Sequence, residues 1–82
     1  MRQGHEANRR GEYATARTHF RAAYELSRGP AAGISAANMT LKLGDVGAAV
    51  DEYDQLLQQA DLTVAHRQAI ERKKAEAQAL RQ

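Results

Sequence analysis

The sequence predicts an all-α protein built from antiparallel helix-turn-helix units stacked side by side, five helices in all. Three observations lead there. Ala, Arg, Gln, Glu and Leu dominate the 82 residues while Val and Ile are scarce, which is a helix-forming composition. Apolar residues recur at spacings of three and four, and no stretch alternates at period two. Related residues also reappear at one fixed offset of 33.

Each element follows from its punctuation. A first helix over about 2–10 ends at Gly11. A second, about 12–27, carries the stripe Tyr13, Ala16, Phe20, Ala23, Leu26. Arg28-Gly29-Pro30 closes it, with Gly29 expected in the left-handed position just past the helix and Pro30 unable to continue the ladder. A third helix over about 31–43 stops at Gly44-Asp45, and Asp45 is placed to cap a fourth helix at about 46–60. The fourth helix carries Val46, Ala49, Tyr53, Leu56 and Ala60. Asp61-Leu62-Thr63 caps a final helix running to about 81, whose inward face is read as Leu62, Ala65, Ala69, Ile70, Ala77 and Leu80. Glu71, Arg72, Lys73, Lys74, Glu76, Gln78, Arg81 and Gln82 are assigned to its wet side.

The chain forms a single domain near the lower size limit for a self-sufficient core, or a piece of a longer array. Hydrophobic residues make up 43%, but 17 of them are Ala, so large apolar side chains are few. Such a helix pair cannot bury its face alone and must stack on a neighbour. The division is repeat one at about 1–29, repeat two at about 30–61 and a capping helix at about 62–82.

The offset aligns Gly11-Glu12-Tyr13 with Gly44-Asp45-Val46, Ala16 with Ala49, Phe20 with Tyr53 and Gly4 with Ala37. Gly11-Glu12-Tyr13-Ala14-Thr15-Ala16, followed by Phe20 and Ala23, resembles the second helix of a tetratricopeptide repeat (TPR), a helix-turn-helix unit of about 34 residues. The likeness covers about 1–60, and Leu56 stands where Ala23 stands in the first unit. It implies a short right-handed α-solenoid whose first helices line a concave surface that takes a partner peptide or helix. The positions so implied are Met1, Arg2, His5, Asn8 and Arg9 in unit one and Ile34, Ser35, Asn38, Leu41 and Lys42 in unit two, with Gln68 and Arg72 from the last helix. This groove is polar and mildly basic with an apolar spot, which suits a peptide bearing acidic and apolar residues. The carboxylate clamp of one TPR subclass is not implied, because Ala65 and Ala69 stand where it needs cations.

Charge and chemistry narrow the function further. The net charge of +2 is too balanced for nucleic-acid binding, and the Arg72-Lys73-Lys74 triplet is interrupted by glutamates with no aromatic nearby for base stacking. An acidic middle, net −4 over 42–62, lies between two ends of +3 each. That pattern and the open ends of the stack give the alternative: a structural piece that completes its solenoid with another copy. With no Cys, no apolar run of membrane-spanning length and no apolar leader, a cytoplasmic location is expected. His5, His19 and His66 lack metal-ligand spacing, and no acid, base and nucleophile set is legible, so neither enzyme activity nor a cofactor is expected.

Overall fold

The computed structural model describes residues 11–80. Among these the fold is all-helical, with four helices and no strand. They are α1 (Tyr13–Ser27), α2 (Pro30–Lys42), α3 (Val46–Leu57) and α4 (Val64–Leu80). The helix expected over 2–10 lies outside the described residues.

The turns that begin α1 and α3 are matched. Gly11 and Gly44 both take positive φ, 79° and 91°, a conformation open to glycine at little steric cost. The residue after each is near-identical in backbone: Glu12 at φ −88°, ψ 69° and Asp45 at φ −88°, ψ 74°. Only one is a side-chain cap. Asp45 Oδ1 accepts from the Ala48 N–H at 3.2 Å, whereas Glu12 makes no such bond. Asp reaches back to the first turn at the cap position, and the longer Glu is poorly suited to it. Thr63 caps α4 in the same manner, its Oγ1 accepting from His66 N–H at 3.1 Å.

The junction of α1 and α2 corrects the expectation for Gly29. The left-handed residue is Arg28, at φ 55°, and Gly29 is extended at φ −69°, ψ 127°. The cause is Pro30, which opens α2 as its first residue and pushes the residue before it out of helical and left-handed space. Arg28 therefore bears the left-handed turn, its N–H bonded to Tyr24 O at 2.6 Å and its guanidinium 5.4 Å from the Tyr24 ring centroid.

α2 lies at the centre, packed against α1, α3 and α4. Ala32, Gly33, Ala36, Ala37, Met39 and Thr40 are all buried, so the helix is wrapped on most sides. Small side chains make that possible. A Cβ on Gly33 would sit 2.5 Å from Leu56 Cδ2 and 3.0 Å from the Tyr24 ring. One core cluster joins Ala16 and Phe20 of α1 to Ala36 and Met39 of α2. The other joins Ala37 to Ala49, Val50, Tyr53 and Leu56 of α3 and to Ile70 and Ala77 of α4. Phe20 and Tyr53 are both fully buried, as are Ala16 and Ala49 one turn earlier.

Three packing assignments change. Leu26 is 89% exposed, and Tyr24 takes the inward place instead, because a run of 3, 4, 3, 3 drifts off a face with a period of 3.6 residues. α3 ends at Leu57, so Ala60 falls beyond it and is exposed. In α4, Ala65 and Leu80 face water, while Lys73 and Lys74 lie half-buried between Ile70 and Ala77. Lys74 Nζ reaches Asp54 Oδ1 at 2.5 Å, tying α4 to α3. Lysine stems cover apolar surface while the charged head finds a partner or water, so charge alone did not mark the wet side.

Candidate functional site

α2 and α4 flank a cleft of about 190 Å³ lined by Phe20, Ser35, Asn38, Met39, Leu41, Lys42 and Lys73. The helix period explains the lining. Ser35, Asn38 and Lys42 are three and four residues apart and share one face of α2. Lys73 is three residues beyond Ile70 and four before Ala77, so it projects from the side of α4 that meets α2. The floor is apolar (Phe20, Met39, Leu41) and the rim carries two ammonium groups and two polar side chains.

Asn38 also has a structural task. Its Oδ1 accepts from the Tyr53 hydroxyl at 2.5 Å, bridging α2 and α3. Tyr53 is completely buried, so its hydroxyl needs a partner. Burial, with the nearby carboxylates of Glu76 and Glu52 acting in the same direction, pushes the phenol up from 10.0 to about 12. It stays protonated and donates at any physiological pH. Because the Asn38 carbonyl is thus engaged, its NH₂ group is the donor left for a ligand in the cleft.

The two lysines differ. Lys42 Nζ stands 5.2 Å from the centroid of the Tyr13 ring, which orients it. Among the described residues Lys73 pairs with Glu76 on its own helix at 3.6 Å, and at 42% exposure that pair is weak.

The structure thus gathers Ser35, Asn38, Leu41 and Lys42 of the residues assigned to the groove. Ile34 is half-buried against the α3–α4 core cluster and lies outside the cleft. Arg72 and Gln68 are exposed on α4 and also lie outside it. Met1, Arg2, His5, Asn8 and Arg9 fall outside the described residues. Phe20, Met39 and Lys73 are cleft residues the sequence reading did not name. For Lys73 the signal was present, in its register with Ile70 and Ala77.

Among the described residues no three His, Cys, Asp or Glu side chains converge as a metal site, and no helix is long and apolar enough to cross a membrane. No family model, curated protein or solved structure matches the chain.

Proposed function

We propose that the chain is a protein-interaction module, a short TPR-like right-handed α-solenoid that binds a partner peptide or helix on the α2–α4 face. The observation that carries this reading is the cleft itself: four side chains named from the repeat register line one concavity, with Lys73 facing them across it. The matched turns at Gly11 and Gly44, 33 residues apart, support the repeat on which that register depends. The lining selects the ligand chemistry. An apolar side chain seats on Phe20, Met39 and Leu41, and a carboxylate meets Lys42, Lys73 and the Asn38 amide. The occupant is therefore a segment with an acidic and an apolar residue close together.

A displayed library of random peptides, selected against the whole chain, tests this. Enrichment of segments pairing Asp or Glu with Leu, Ile or Phe is expected, and binding should weaken as salt rises. Selection of basic segments, or of none that compete with one another for a single site, would contradict the proposal.

A further inference from the structure

Among the large apolar side chains that stay in water, Leu26 in the last turn of α1 is the most exposed of the described residues, at 89%. A lone exposed leucine is ordinary. Leu26 is not alone: Glu25 beside it is also exposed and makes no hydrogen bond or ion pair among the described residues. Arg28, the nearest cation along the chain, is drawn onto the Tyr24 ring instead, 5.4 Å from its centroid. The other exposed large apolar residues, Leu43, Val64 and Leu80, have no acidic residue next to them in the chain. The end of α1 thus carries a free carboxylate and a bare leucine side by side.

That pairing is the one the α2–α4 cleft selects. Leu41 is only half-buried and offers apolar surface, while Lys42, Lys73 and the Asn38 amide offer positive charge and a donor. Successive residues on a helix diverge by about 100°, so a leucine can enter a cleft while the glutamate before it reaches the rim. Leu26 does not serve its own cleft. It stands six residues beyond Phe20, which lines that cleft, and so about two-thirds of a turn round α1 from it.

Resting on the α2–α4 cleft as an acidic–apolar recognition site, we infer that its occupant is a second copy of this chain, docked through the Glu25–Leu26 corner. Leu26 of one copy covers the open edge of Leu41 in the next, and Glu25 meets Lys73 and the Asn38 amide. Corner and cleft are different surfaces, so the contact is heterologous and either runs on from copy to copy or closes into a ring. It centres on one leucine and one ion pair, small beside a standard interface, and is therefore weak and salt-sensitive.

The test is sedimentation velocity of the whole chain from micromolar to millimolar concentrations, at low and at high salt. Reversible association that weakens as salt rises is expected. Leu26→Ser, at an exposed position, and Lys73→Glu should each weaken it roughly tenfold or more. The decisive measurement mixes two disabled chains whose folding is checked by circular dichroism. Glu25→Lys with Leu26→Ser removes the corner and keeps the cleft, and Lys73→Glu removes the cleft and keeps the corner. Each should sediment as a monomer alone, and the equimolar mixture should form a one-to-one pair. A monomer at every concentration in a chain that still binds an acidic–apolar peptide would overturn this inference and leave the cleft reading standing. Association unchanged by Leu26→Ser, association lost in Leu26→Ser but kept in Lys73→Glu, or a mixture that does not pair would also overturn it.

Discussion

The segments Gly11–Ser27 and Gly44–Leu57 share a turn, a small buried alanine and a large buried aromatic, yet they are held differently. In the first, Phe20, whose ring has no hydroxyl to satisfy, packs with Ala36 and Met39. In the second, Tyr53 fills the corresponding place but carries a hydroxyl that must find Asn38. The first has half-buried Ala23 where the second has Leu56, buried and driven against Gly33. The first enters its helix without a side-chain cap, and the second is capped by Asp45. One backbone frame thus supports both an apolar joint and a polar one, and the polar joint constrains α2 more tightly, at Gly33 and at Asn38.

The largest effect that sharpens the comparison comes from emptying the aromatic places. Phe20→Ala and Tyr53→Ala should each cost about 3–5 kcal/mol, since both rings are fully buried. Urea unfolding followed by circular dichroism measures this. A small loss at either position would break the equivalence of the two segments.

Next in size is the polar joint. Tyr53→Phe leaves the Asn38 carbonyl without its donor and should cost about 1–2 kcal/mol at neutral pH. It should also change the alkaline limb of stability. In the native chain the phenol ionises near 12 when folded and near 10.0 when unfolded. Below 10 both states hold the proton and pH has no effect through this group. Between 10 and 12 the unfolded state ionises first, so stability falls, by about 2–3 kcal/mol in all. Tyr53→Phe lacks that component, and its difference from the native chain should shrink or reverse as pH passes through the window. Parallel denaturation curves of the two proteins from pH 9 to 12 would contradict it.

The smallest effect concerns the caps. Asp45→Ala should lose about 1 kcal/mol, and Glu12→Ala less, because only Asp45 bonds the first turn. Equal losses in thermal unfolding would remove this distinction between the two turns.

Much of this was legible in residues whose physics is local. Gly11 and Gly44 mark turns because few other residues adopt positive φ cheaply, and Asp45 and Thr63 announce helix starts by their oxygen reach. The face shared by Ser35, Asn38 and Lys42 follows from helical spacing. What was not legible depended on competition between neighbours. Gly29 looks like the left-handed residue until Pro30 constrains it, and Arg28 takes the turn. Lys73 and Lys74 read as a solvated pair by charge, but register places their stems inward. Arg72, read as a groove residue, is one position away and faces water. The double role of Asn38 needed the distance to Tyr53, which no spacing within α2 contains. The close approach of Tyr24 and Leu56 over Gly33 joins helices distant in sequence, which no local spacing contains.

The adjacent pair Arg72 and Lys73 gives the most direct test of the α2–α4 face as the recognition surface. Fluorescence anisotropy of an acidic–apolar peptide selected against the chain would be measured with Lys73→Glu and with Arg72→Glu at physiological salt, where charges outside the cleft are largely screened. Loss of binding in Lys73→Glu with near-native binding in Arg72→Glu is the predicted result. Equal loss in both, or binding unaffected by Lys73→Glu, would contradict it.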